Sequence, residues 1–100
     1  MHVRATTINI QQGKMQEMID IFKNSVIPAQ KAQKGYQGGY LMTHANSNKA
    51  LGISIWESEA DMMASESSSG YLQEQVAKIG NLISGAPDFA HYELSVDSSA

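Results

Sequence analysis

The sequence predicts an α+β domain whose elements run β-α-β-β-α-β, with four antiparallel strands and helices on one face. Three observations carry this. Segments rich in β-branched and aromatic residues recur at 2–10, 36–44, 50–57 and 89–96. Apolar residues fall at helical spacing over 13–33 and 71–83. Turns rich in glycine, serine and asparagine separate these segments.

Taken in order, the first strand spans 2–10, where Thr6, Thr7, Ile8 and Ile10 are β-branched and no Gly or Pro intervenes. After Gly13, Met15, Met18, Ile19, Phe22 and Val26 form one helical stripe. Pro28 lies inside this segment. It has no N–H and crowds the preceding turn, so a single kinked helix is expected over 13–33. Gly35 ends it, and 36–44 is a second strand containing a glycine pair. The polar stretch 45–49, with Asn46 and Asn48, is a hairpin loop. In the third strand, 50–57, Leu51, Ile53 and Ile55 point one way and Ala50, Gly52, Ser54 and Trp56 the other. Ser58 caps a short helix to about Glu66, with Asp61 at the third helical position. The run Ser67 to Gly70 breaks it, and Leu72, Val76, Ile79 and Ile83 mark a further helix over 71–83. The last strand, 89–96, alternates with Ala90, Tyr92, Leu94 and Val96 on one face, and 97–100 is a frayed tail. This order is the ferredoxin-like arrangement.

The 100 residues are expected to form a single domain, 1–100. A domain this small buries a modest share of its surface, and oligomerisation is a common reinforcement. There is no cysteine, which excludes disulfides, thiol catalysis and Cys-ligated zinc or iron–sulfur clusters. Net charge is −3 and the seven basic residues are scattered, so there is no footprint for nucleic acid. No apolar run is long enough to span a membrane, and residues 1–10 lack the apolar core of a signal peptide. A cytoplasmic protein is expected. Both faces of the third strand carry apolar residues and call for cover, one from the helices and one from a second copy of the sheet.

The residues that carry a likeness are GYQGGYLMTH, then LGISIWESEADM, then LISGAP and the closing HYEL. With the Gly-led, Pro-bearing first helix, they make the chain resemble the antibiotic biosynthesis monooxygenase family of the dimeric α+β barrel superfamily. The likeness spans about residues 2–96 and is carried most by a strand that ends in Trp56 and passes straight into an acidic, capped helix. It implies a homodimer in which two four-stranded sheets pack face to face, with ligand pockets between each sheet and its own helices. Leu51, Ile53 and Ile55 would line the barrel interior, and Trp56 would face the helices. Relatives include cofactor-free anthrone and quinol oxygenases, haem-degrading enzymes and lactone isomerases.

The catalytic sets of those relatives match this chain only in part. The haem-degrading set pairs an Asn on the first strand, a Trp ending the third and a His ten residues later. Here Trp56 matches, Glu66 replaces the His, and the Asn position falls near Thr6, with Asn9 on the opposite face. The anthrone-oxidising set places an Asn where this chain has Gly52 and a Tyr where it has Met62.

Small side chains at Ala50, Gly52 and Ser54, ending in Trp56, suit either a pocket for a planar aromatic ligand or close helix packing. Trp56 either stacks on a substrate or is a core residue with its N–H on a backbone carbonyl. His44, at the end of the second strand, is a candidate general base or a solvated hairpin residue. His91 shares a face with Phe89 and Glu93 and is a candidate base held by Glu93, or half of a surface pair. Tyr36, Tyr40, Met42 and His44 share a face if the glycine pair does not bulge the strand. Tyr71, beside the serine run, is placed to close a pocket mouth, with the run itself as a gate or a mere helix break. Met62 is an adaptable pocket wall or core filler. The candidate binding set is therefore Thr6, Gly52, Ser54, Trp56, Met62 and Tyr71. The catalytic candidates are Trp56, His44 and His91.

Three activities follow as expectations. The first is a monooxygenase or oxidase, needing no cofactor, that acts on an electron-rich aromatic of the hydroquinone or anthrone type. The second is a non-catalytic protein binding a small apolar ligand on the same barrel. The third is a haem-degrading relative. No metal site is expected, since the three histidines are far apart.

Overall fold

The computed structural model of the chain describes residues 1–67 and 70–98. Four strands, β1 (His2–Asn9), β2 (Tyr36–His44), β3 (Lys49–Trp56) and β4 (Asp88–Glu93), form one sheet in the order β2-β3-β1-β4. Every neighbouring pair is antiparallel. This is the expected ferredoxin-like sheet, with helices on one face. Ala45–Ser47 forms a 3₁₀ turn between β2 and β3, and Asn48 takes the left-handed conformation that closes it (φ 53°).

The first helical region differs in detail from expectation. Helix α1 (Met15–Ile21) runs through a π-helical turn, Phe22–Val26, into α2 (Ile27–Lys31). Instead of a break at Pro28, the helix widens one turn before it, and the Ile27 N–H bonds the Phe22 carbonyl five residues back. Proline cannot supply the next ordinary bond, so the wider turn lets the helix continue. Ser58 caps α3 (Glu59–Ser67) as expected, its Oγ accepting the Asp61 N–H at 3.1 Å.

Helix α4 (Tyr71–Ile79) stops four residues short of the expected end, at Gly80. Leu82 then turns into the core while Ile83 bridges to Ile10. Strand β4 also stops early, because its ladder partner β1 ends with the pair His2–Glu93. Val96 is consequently exposed.

The core lies between sheet and helices in two clusters. One gathers Ile8, Ile10, Met18, Ala50, Ile79 and Leu82; the other gathers Trp56, Met62 and Tyr71. Strand parity fixes which side chains enter. On β3, Ala50, Gly52, Ser54 and Trp56 are buried against the helices. On β1 the residues registered with them are Ile8, Thr6, Arg4 and His2.

Candidate functional site

Between the two clusters a cavity of about 40 Å³ remains. Its floor is the sheet: Arg4 and Thr6 from β1, Gly52 and Ser54 from β3, and Phe89 from β4. Phe22 and Val26 of the π-helical turn form one wall, and Leu72, Gln75 and Val76 of α4 form the other. The cavity is apolar apart from a few side chains on its floor and rim. A benzene-sized cavity holds about 150 Å³, so an aromatic ligand enters only if a wall moves. Leu72, Val76 and Phe89 are the wall in question, since the same three side chains line an open groove outside.

Arg4 is the unexpected resident. It is only 1% exposed, although an arginine is seldom buried unless paired. Its Nη1 donates to Ser65 Oγ (3.0 Å) and to Glu66 Oε2 (3.2 Å), and its Nη2 donates to the Tyr71 hydroxyl. Ser65 in turn donates to the Met62 carbonyl at 2.6 Å. The guanidinium lies 5.3 Å from the Trp56 ring centroid and 5.9 Å from that of Tyr71. Helix α3 thus supplies the polar partners, and two aromatic rings supply the apolar bed.

Glu66 also receives His91, whose Nε2 lies 2.8 Å from Glu66 Oε2. A single carboxylate oxygen therefore joins the buried guanidinium to an imidazole that is 37% exposed. His91 stands beside Arg4 in register and two residues from Phe89 on the same strand face. With Glu66 it stands on the far side of Arg4, just outside the residues that line the cavity. Its partner is Glu66 of α3 and not Glu93, which corrects the expected pair. Glu66 is the residue found where the haem-degrading relatives place a His, and here it is engaged by Arg4 and His91.

The other candidates fall into two groups. Thr6, Gly52 and Ser54 line the cavity. The volume over Gly52 is taken by Phe22, since a Cβ there would stand 3.2 Å from Phe22 Cζ. At Gly52 the small residue serves packing. Trp56 and Met62 are wholly buried and lie behind the cavity, not in its wall. The Trp56 indole N–H donates to Ser54 Oγ at 2.9 Å, not to a backbone carbonyl. Tyr71 is buried with its hydroxyl on Arg4, so it is no lid; its neighbour Leu72 occupies the mouth. Ser68 and Ser69 of the suspected gate lie outside the described residues.

His44 is exposed on the hairpin, with Nδ1 2.8 Å from Ser47 Oγ, and does not reach the cavity. It sits on the uncovered face because β2 bulges between Tyr36 and Gly38. The same bulge removes Tyr36 from the row of Tyr40, Met42 and His44. Tyr36 packs edge-on to Trp56, with centroids 5.7 Å apart. Burial raises the Tyr36 pKa above the ordinary tyrosine value, and nearby Tyr71 and Tyr40 add to the effect.

Sequence reasoning missed Arg4, Glu66 and Gln30 as site residues. For Arg4 a signal was present, because it shares strand parity with Ile8 and Ile10 and so must face the helices. Among the described residues, no group of three His, Asp or Glu side chains is placed to hold a metal ion, and no helix is long and apolar enough to cross a membrane.

The chain matches the family Antibiotic biosynthesis monooxygenase over residues 1–77. The match ends before β4, so Phe89 and His91 are assigned from the structure. No curated protein matches the chain. Among solved structures it is similar to a Streptomyces coelicolor monooxygenase from the gene ActVA-Orf6, in complex with the ligand Nanaomycin D. That likeness has a TM-score of 0.83 at 12% identity, covering 99% of this chain and 91% of that one. It is also similar to SnoaB, a cofactor-independent oxygenase from Streptomyces nogalater (TM-score 0.79, 11% identity, 99% and 97% covered). A third similar structure is NE2512, a protein of unknown function from Nitrosomonas europaea (TM-score 0.79, 16% identity, 99% and 93% covered). At these identities the likeness concerns the fold.

Proposed function

The chain belongs to the antibiotic biosynthesis monooxygenase family, and on that premise we propose that it is a cofactor-independent oxygenase of an electron-rich aromatic, of the hydroquinone or anthrone type. The observation that carries this is Arg4, a cation 1% exposed, in the lining of an apolar cavity. Such a cation stabilises an oxyanion far more than it would in water, because the low dielectric strengthens their attraction. A substrate whose hydroxyl faces Arg4 is therefore easier to deprotonate.

The His91–Glu66 pair beside Arg4 accepts the proton. Trp56 and Tyr71 are positioning residues: they hold the guanidinium plane, and Trp56 also fixes Ser54. The substrate anion is itself the reductant of O2. For an anthrone, the ring CH2 becomes C=O; one oxygen atom enters the carbonyl and the other leaves as water. No further reductant is needed. Leu72, Val76 and Phe89 open to admit the ring and close to exclude water.

We assign the uncovered face to a second copy of the chain. Ile53 and Ile55 lie there beside Tyr40 and Met42 of β2, with Tyr92 of β4 beyond Val3 of β1; the three are 60%, 50% and 58% exposed. An apolar patch of this kind marks an interaction surface, and a second sheet of the same shape covers it.

The activity is tested by oxygen uptake with 1,8-dihydroxyanthrone. Uptake above the buffer blank is expected, lowered about a hundredfold in Arg4→Lys, since one aligned donor at a developing oxyanion is worth about that much. Uptake equal to the blank, together with a ligand-dependent rise in Tm, would instead establish a binding protein without turnover.

A further inference from the structure

Gln30, on α2, is 6% exposed and borders the same cavity. Its Oε1 is buried and has no hydrogen-bond partner. That is costly, because a buried acceptor left unpaired forfeits its hydration with no return. The other buried glutamine of the cavity is different: Gln75 Oε1 accepts from Ser25 Oγ at 2.8 Å. The orphan at Gln30 is thus specific to one end of the cavity.

The sheet beneath makes room for it. A Cβ on Gly39 would stand 3.2 Å from Gln30 Oε1 and 2.6 Å from the Tyr36 hydroxyl. A side chain at 39 would therefore fill the space where the amide sits. Gly39 pairs with Ser54, Ser54 with Arg4, and Arg4 with His91, so one row across the four strands links Gly39 to three polar side chains. Gly39 and Arg4 flank Ser54 from its two neighbouring strands, about 10 Å apart at the backbone. Ser54, which accepts from Trp56, keeps a hydroxyl proton to donate in the middle of the row.

We propose that Gln30 is a specificity-determining residue whose amide oxygen accepts a hydrogen bond from a hydroxyl of the aromatic ligand, at the opposite end from Arg4. The ligand class is then a planar ring system bearing two oxygen functions, one held as an oxyanion or acceptor by Arg4 and one retained as an O–H donor at Gln30. A site built to pair with a hydroxyl rejects an ether at that position, since the ether leaves the buried acceptor orphaned and adds a methyl group. This rests on the aromatic-substrate assignment above and adds the requirement for a donating hydroxyl.

The test is calorimetric titration of the full chain with 2,6-dihydroxynaphthalene and 6-methoxy-2-naphthol, which keeps one hydroxyl for Arg4 and methylates the other. The diol is expected to bind about tenfold tighter than the monoether, the worth of one hydrogen bond to a buried acceptor. In Gln30→Met, which keeps volume but has no acceptor, the two ligands are expected to bind equally while the monoether binds at least as well as before. Tm is expected to hold or rise, because an unpaired polar atom has been replaced by an apolar one. Gln30→Leu serves as the second variant. Equal binding of diol and monoether by the unaltered protein would overturn the role of Gln30 and leave the aromatic assignment standing. So would a preference that survives in both variants, which would mark the amide as a site for a structural water. A loss of both ligands in the variants would make Gln30 a packing residue. Binding of neither ligand to the unaltered protein would overturn both assignments.

Discussion

On the helix-covered face of β3, the small residues Ala50, Gly52 and Ser54 are buried. On the opposite face the larger apolar residues Leu51, Ile53 and Ile55 stay partly exposed. Single residues of the other strands repeat this inversion, although β1 also buries Ile8 under the helices. Arg4 lies under the helices at 1% exposure, while Tyr40 and Tyr92 stand at 60% and 58% on the open side. A lone folded chain would be expected to hide its isoleucines and show its arginine. The inversion makes sense if the two faces have different tasks. On the proposed function, the covered face gives up apolar volume to enclose the charged site, and the open face keeps its apolar side chains for a second copy of the chain.

Breaking the covered face should cost most. Arg4→Met removes the cation but leaves Glu66, Ser65 and Tyr71 facing an apolar chain. We expect a loss of about 2–3 kcal/mol in urea unfolding, short of the full cost of splitting a buried pair because Glu66 keeps water and His91. An unchanged midpoint would mean that the clamp is not formed. On the open face, Ile53→Glu places a charge at the centre of the apolar patch. The sedimentation mass is expected to fall from twice the 10.9 kDa chain mass to that of one chain. The far-ultraviolet dichroism should be preserved, because the helix-side core is untouched. A mass of one chain before substitution would contradict the second layer. The smallest effect is expected beside the cavity. His91→Gln removes a half-exposed partner, so stability should change by about 0.5 kcal/mol or less. Its kcat with the anthrone should drop about tenfold or more with KM unchanged, as for the loss of a proton acceptor. A change in KM alone would make His91 a binding residue.

The fold was legible because its signals are local. The β-branched runs, the stripe of Met15, Met18, Ile19, Phe22 and Val26, and the Ser58 cap each act over a few residues. Parity split the residues of β3 into two faces, and the family resemblance implied which of them meets the helices. The site was less legible because its contacts are distant in the chain: Arg4 meets Ser65, Glu66 and Tyr71 from 61, 62 and 67 positions away. His91 has Glu93 nearby in sequence, yet α3 presents Glu66 at 2.8 Å. The bulge in β2 moved Tyr36 to the covered face and left His44 on the other, a one-residue shift with a large consequence. The unpaired oxygen of Gln30 leaves no trace in the sequence, since a glutamine in a helix usually points to water.

The central claim is that the aromatic ligand is held on the covered face. It is tested most directly by intermolecular nuclear Overhauser contacts between 2,6-dihydroxynaphthalene and the labelled protein. Contacts to the Leu72, Val76 and Phe89 side chains are expected, with none to Ile55 or Tyr92. Contacts confined to Ile55, Tyr92 and Met42 would place the ligand on the open face and contradict the account.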